Sequence, residues 1–386
     1  MIVHVNTQGA RILREGRHLL VKKEADIYHT LFPHRLEQLL IYGNVSLTPS
    51  ALKLLFRENI DTVFLRQDGR FVGRLAVDEG KNVLLRKAQF RLSDDDPFCL
   101  RASRAMVSGK LANMVVLLQR IKRSRDSREA GKAAVQVKEI LDQLPKADNL
   151  ESLRGLEGQA AVCYFAGFRA GLDRDFGFRK RVRRPPTDPV NSVLSLLYTL
   201  LLNRIIAAVR VAGLDPYPGV FHALDYGRFS LPLDLIEEFR TPVADTLTLS
   251  LFNLGVLKEK DFFTLQVEET LDLPQEEEDA IDRACADPLG RMGMPEESED
   301  VSDLEGDQFV EREEEPQTPT GKPPVRLYPE AFRRLLTAFE KKLQTEFYHP
   351  VACRRMTYAE TTIFQARQYR RLVEGEIAEY TPFLLR

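Results

Sequence analysis

Within VFHALDYGRFSLPLDLIEEFR, residues 220–240, His222 stands twelve residues before Asp234 and fifteen before Glu237, in a chain with six histidines. Carboxylates beside an imidazole form a donor set suited to a divalent cation. Read as a helix, SLPLDLIEEF makes Asp234 and Glu237 i,i+3 neighbours and Asp234 and Glu238 i,i+4 neighbours. Leu231, Leu235 and Phe239 then share an adjoining face, so the carboxylates are expected off the core side, with Ser230 as N-cap. Two plainer readings stand beside this one. Acids near a helix start are favoured by the helix dipole, and a single histidine can simply be packed.

Two further stretches carry chemistry. LRGLEGQAAVCYFAGF, residues 153–168, sets Glu157 between Gly155 and Gly158 in a helical pattern. Glycine costs helix stability, so two around an acid suggest close backbone approach or ligand access. FRKRVRRPPTDPVNSVLSLLYTLLLNR opens with Arg179, Lys180, Arg181, Arg183 and Arg184, then a proline-punctuated loop, then a helix that Asp188 or Asn191 is placed to cap. A rigid basic loop suits phosphate contacts, or is merely solvated. His4, His18, His29, His34 and His349 have no matching carboxylate cluster and read as structural or surface residues.

The elements that must position these groups divide the chain. IVHV, RILREG, HLLVKK, LEQLLIYG, TVFLRQDG and RFVGRLAV are short β-favouring runs. Asp68-Gly69 predicts a hairpin turn, and LTPSALKLLFREN predicts a helix with Thr48 as N-cap and Pro49 at its first position. From about residue 96 the period is helical: Val107, Leu111, Met114 and Leu118 fall on one face. Helices are expected over 130–144, 150–170, 190–213, 231–239 and 242–255, and over a long stretch from about 328 to 378. The fold class is therefore α+β. A β-rich domain spans 1–88 and an all-α domain spans 89–386, the latter interrupted by an insertion at about 267–325.

Composition narrows the function. At 386 residues and 44% apolar, the chain can bury a sizeable core. Cys99, Cys163, Cys285 and Cys353 form no CxxC pair, which excludes a zinc ribbon and fits a reducing cytoplasm. The N-terminus lacks a signal-peptide core. The most apolar segment, 193–213, is interrupted by Asn203, Arg204 and Arg210 and reads as a buried core helix, so no membrane is implied. The net charge of −2 hides an asymmetry: residues 267–316 hold 20 Asp and Glu against 3 Arg, leaving the rest of the chain at +15. A basic body suggests a polyanionic partner. The acidic segment is expected to be disordered, either an inert linker or an internal mimic of DNA.

Taken together, the blocks resemble one family, the CRISPR-associated integrase-endonuclease (Cas-one), catalytic subunit of the spacer-acquisition complex. IYGNVSLTPSALKLLFRENIDTVFLRQDGRFVGRL, GKLANMVVLLQR, LEGQAA, RRPPTDPVNSVLSLLYTLLLN, AGLDPYPGVFH and GRFSLPLDLIEEFRTPVAD follow in the family's order. The match runs from about residue 1 to 255, with a looser likeness in the C-terminal helices. The acidic insertion departs from the pattern.

The resemblance implies a β domain that mediates a homodimer and an α domain that carries the site. It implies Glu157, His222 and Glu237 as catalytic metal ligands for Mg²⁺ or Mn²⁺, with Asp234 as an adjacent acid in the metal set. Arg183, Arg184, Lys110, Asn191, Tyr217 and Arg240 are expected to contact DNA. The implied activity is insertion of short DNA fragments into a CRISPR array by 3′-OH attack on a repeat-border phosphodiester, in a prokaryotic cytoplasm. The implied partners are double-stranded prespacer and repeat DNA and a small ferredoxin-like subunit (Cas-two) bridging two dimers. The alternatives are a structure-selective metal-dependent nuclease on branched DNA in repair, and a DNA-binding scaffold whose metal site has lapsed.

Overall fold

The computed structural model describes residues 2–24, 26–36, 38–67, 69, 71–75, 82–182, 185–264 and 323–385. The expectation of disorder across the acidic insertion, and the placements of Arg183 and Arg184, lie outside the described residues. The fold is mixed: strands come first, then helices.

Eight strands precede the first long helix. Strands β1 (Ile2–Val5), β5 (Gln38–Tyr42), β7 (Asp61–Leu65) and β8 (Phe71–Leu75) form one sheet in the order β1-β5-β7-β8. Strands β4 (Asp26–Leu31), β3 (His18–Lys23), β2 (Ala10–Glu15) and β6 (Val45–Leu47) form a second. The expected hairpin joins β7 to β8 antiparallel, and Gly69 takes φ +86°, a conformation that favours glycine. Helix α1 (Pro49–Arg57) starts as expected, the Thr48 hydroxyl accepting from Ala51 N–H with Pro49 at its first position. Strand β5 reads QLLIY without alternation because both faces are covered. Leu39 and Ile41 join the core shared with Ile12, Leu19 and Leu54, while Leu40 and Tyr42 join the core of the helical body.

The helical body is built on α3 (Asp96–Arg125), which packs against α4 (Arg128–Leu141), α5 (Leu150–Phe168) and α7 (Ser230–Phe239). Helix α2 (Val83–Ser93) crosses residue 88 unbroken. Helix α6 (Pro189–Val211) is long and apolar enough to cross a membrane, but 78% of its most apolar window is buried inside the protein. It is the buried core helix expected there, with Asn203 and Arg204 buried within it. It is capped by Asp188, which accepts from Asn191 N–H. Helix α7 runs through a π-helical turn, Arg240–Asp245, into α8 (Thr246–Asn253).

Strands β9 (Phe262–Thr264) and β10 (Val325–Leu327) pair antiparallel, bringing together the two chain segments that flank 265–322. The C-terminal region is not one long helical stretch. A hairpin of β11 (Glu346–His349) and β12 (Arg354–Thr357) separates α9 (Pro329–Leu343) from α10 (Tyr358–Val373). A partly buried polar knot joins the β-rich part to the helices. His4 bridges Tyr42 Oη and Glu340 Oε1 at 2.8 Å each, and Arg204 donates to both oxygens of Glu340 at 2.5 and 2.6 Å.

Candidate active site

Four segments converge. Glu157 comes from α5, Lys110 from α3, Glu237 and Asp234 from α7, and His222 from the loop before α7. Every residue of α7 is buried, so its carboxylates are not on a solvent face as the apolar stripe suggested. Ser230 does not cap the helix. Its hydroxyl donates to Ala223 O at 3.1 Å, and Phe229 occupies the cap position.

Asp234 is fully buried and saturated. Oδ2 accepts from Val220 N–H at 2.6 Å and Phe221 N–H at 3.1 Å, and Oδ1 accepts from His222 N–H at 2.9 Å and His222 Nδ1 at 2.7 Å. A carboxylate offers about four acceptor positions, and all four are used. Its expected place among the metal ligands is therefore corrected: it shapes the loop and orients the imidazole. With Asp234 accepting, the neutral ring carries its proton on Nδ1, the tautomer that presents Nε2 to a ligand. The loop closes this tightly because of Gly219, where a Cβ would lie 2.7 Å from both Asp234 Oδ2 and Ser230 Cβ. From the other side Arg154, one turn before Glu157, donates to Phe221 O at 2.6 and 3.1 Å.

Glu157 and Glu237 meet one cation. Lys110 Nζ contacts Glu157 Oε1 and lies 2.5 Å from Glu237 Oε2, its side chain only 6% exposed. The residue of α3 expected to contact DNA phosphate is thus held between two acids. Glu237 Oε1 also faces Arg240 at 3.3 Å. Burial pushes the Glu237 carboxyl up, but Arg240, Lys110 and His222 outweigh it and bring its pKa down to about 2. Burial likewise disfavours the Lys110 ammonium, and Glu157 and Glu237 more than offset this, so its pKa is raised. Glu157 is the accessible member, 21% exposed, and no atom lies within 4 Å of a Cβ built on Gly155 or Gly158 beside it.

With the ammonium between the glutamates, no three His, Cys, Asp or Glu side chains among the described residues stand close enough to hold an ion. The donor set nonetheless suits one. Two glutamates and an imidazole nitrogen match Mg²⁺ or Mn²⁺ chemistry. Glu237 Oε2 is buried and faces the Lys110 ammonium at 2.5 Å.

The other expected DNA contacts differ in kind. Asn191 is fully buried and stitched: Oδ1 accepts from Val182 N–H and Arg181, and Nδ2 donates to Lys180 O and Asp188 Oδ2. It ties the basic loop to α6 and faces no solvent, which corrects its expected DNA role. Tyr217 is 44% exposed, its ring 5.0 Å from Phe229. Arg240 stacks over Tyr198 at 4.9 Å, and Tyr198 and Tyr164 both donate to buried Asp245, at 2.7 and 2.6 Å. Sequence reasoning missed Arg154, Tyr198 and Asp245. The available signals were the turn-long spacing of Arg154 from Glu157 and the proline in EEFRTPVAD. Arg240 also opens onto a cleft of about 1010 Å³ between the β-rich part and α6. Lys23, Arg66, Arg181, Arg326 and Arg333 line it too, with no Asp or Glu among its described lining residues.

Comparison with known proteins agrees with this architecture. The family model of CRISPR associated protein Cas1 matches residues 3–273. A CRISPR-associated endonuclease Cas1 of Thermus thermophilus is 32% identical over 387 residues, covering 100% of this chain and 97% of the relative. One of Chlorobaculum tepidum is 30% identical, covering 99% and 97%. Among solved structures, a Cas1 protein from Thermotoga maritima shares the fold with a TM-score of 0.72 at 20% identity, covering 100% of each chain. A casposase bound to integration product gives 0.76 at 18%, covering 100% of this chain and 94% of that one. A family model that spans most of the chain, with relatives alike over its full length, shows that this protein belongs to the Cas1 family of CRISPR-associated proteins.

Proposed function

We propose that this chain is a metal-dependent DNA integrase and endonuclease that joins short DNA fragments into a CRISPR array. In this reaction a 3′-OH attacks a repeat-border phosphodiester, and the chain works with a small Cas2-type subunit as a homodimer. The observation that carries the reading is the convergence of Glu157 and Glu237, from two helices, on one cation position, that of the Lys110 ammonium. The endonuclease names of the full-length relatives support phosphodiester chemistry. Solved relatives of the same fold include a Cas6-RT-Cas1–Cas2 complex, which supports the partner assignment.

Glu157, His222 and Glu237 would hold the ion. A bound Mg²⁺ or Mn²⁺ would supply charge neutralisation at the scissile phosphate and a polarised oxygen nucleophile. The chain's own residues do the rest. Asp234 and Arg154 fix the imidazole and its loop, so donor positions are set before substrate arrives. Arg240, held over Tyr198, keeps Glu237 ionised and presents positive charge to the cleft. The acid-free cleft suits a polyanionic backbone. No high-energy cofactor is needed, since one phosphodiester is exchanged for another.

The test is a strand-transfer assay with a short duplex bearing free 3′-OH ends, a supercoiled plasmid carrying a repeat array, Mn²⁺ and the small partner subunit. Joined product should form and vanish in EDTA and with His222→Ala or Glu157→Ala. Joining by His222→Ala at the wild-type rate would refute the assignment. Metal-dependent nicking of branched DNA with no joining would move it to a repair nuclease.

A further inference from the structure

Lys110 occupies the position between Glu157 and Glu237 that a cation would take. The four side chains Glu157, Glu237, Lys110 and Arg240 already balance in charge without a metal. A divalent ion added beside the ammonium would leave a buried excess of two positive charges, which a low-dielectric site disfavours strongly. Ion and ammonium therefore exclude each other.

The backbone beneath Lys110 is fixed. A Cβ on Gly109 would come within 2.5 Å of Pro382, and Asn113 donates to Glu238 O at 2.9 Å and Phe383 O at 3.0 Å. The flexible part is the four-carbon stem. Of the two acids that hold the ammonium, Glu157 is the one that reaches solvent, at 21% exposure against 4% for Glu237.

We propose that Lys110 is an exchangeable internal cation. It joins the two glutamates when no divalent ion is present, and on ion arrival its ammonium moves to the open side of Glu157, where it meets a DNA phosphate. This rests on the metal reading above and adds to it a residue that holds the empty site together and then binds substrate. It also explains how two carboxylates from separate helices stay close without an ion.

The test uses the full-length protein and Lys110→Met. Free Mn²⁺ is followed by electron paramagnetic resonance to obtain affinities. Lysine acetylation in wild type is mapped by mass spectrometry in EDTA and in saturating Mn²⁺. Removing the competitor should tighten Mn²⁺ binding by about tenfold or more. Wild-type Lys110 should be protected in EDTA and several-fold more reactive in Mn²⁺, while exposed Lys138, paired with Asp142, serves as an unchanged control. Unchanged Lys110 labelling with Mn²⁺ bound would overturn the exchange and leave the metal reading standing. Absence of Mn²⁺ binding to either protein would overturn both. The labelling arm uses wild type alone, so it decides the matter if the variant folds poorly.

Discussion

At the scale of single residues, Asp234 acts through other groups. Its four accepted hydrogen bonds fix three consecutive backbone N–H groups and one imidazole nitrogen. Replacing one oxygen by an amide puts a donor where donors already point. Asp234→Asn should therefore lower the rate of joining and the Mn²⁺ affinity by about 10–100-fold, the usual cost of losing a group that orients a metal ligand. DNA affinity should change little. Single-turnover kinetics, an Mn²⁺ titration and a DNA-binding curve separate these; an equal loss in DNA affinity would point to a collapsed loop instead. His222, Asp234 and Glu237 stand out in the sequence by type and spacing and Glu157 by its flanking glycines, while the ligand set is what the family likeness implies. The division of labour among them is not legible there, because it depends on the loop at 219–222 turning back onto α7. Lys110 likewise reads as one basic residue among many on α3; only packing puts it between two acids.

At the scale of elements, the turn after α7 has a local cause. Pro242 has no N–H to donate to the carbonyl four residues earlier, that of Glu238. Asn113 Nδ2 donates to that carbonyl instead, at 2.9 Å, and the chain widens into a π-turn that carries Arg240 and Asp245. The side chain of Glu238 points away from the cation site and anchors the C-terminal segment, accepting from Gln365 at 2.9 Å and from Tyr380 Oη and Phe383 N–H. Burial raises its pKa to about 7, against the pull of those hydrogen bonds. The folded protein thus holds a proton that the unfolded chain releases above about 4.5, and stability should fall as pH rises from about 4.5 to 7. The slope should be at most about 1.4 kcal/mol per pH unit. Glu237, shifted to about 2, acts below this window. Urea midpoints between pH 5 and 7.5 should fall in wild type and be flatter in Glu238→Gln; identical profiles would contradict the assignment. Caps and turns with local chemistry, Thr48-Pro49, Asp188 and Gly69, were legible in sequence. The β11–β12 hairpin was not, because EFYH and RRMT are short strands that pair only with each other, embedded in an otherwise helical pattern.

At the scale of the whole molecule, charge and architecture act together. The chain outside residues 267–316 carries +15, and part of that charge lines the cleft onto which Arg240 opens. DNA binding should therefore be dominated by phosphate contacts. Contact with about six phosphates would cost roughly 10³ in affinity between 50 and 200 mM salt, so a log–log plot of affinity against salt should be steep. A flat plot would remove the electrostatic account of the cleft. The two-part plan was readable from the switch in hydrophobic period near residue 96. The knot of His4, Tyr42, Arg204 and Glu340 that joins the parts was not, since its members are separated by up to 336 positions. The central claim is that three separate segments build one cation site. Anomalous diffraction from Mn²⁺-soaked crystals tests it most directly. The account predicts a peak within bonding distance of Glu157, His222 Nε2 and Glu237, with Lys110 displaced and Asp234 still on the imidazole. No peak there, or one bound through Asp234 with Lys110 unmoved, would contradict it.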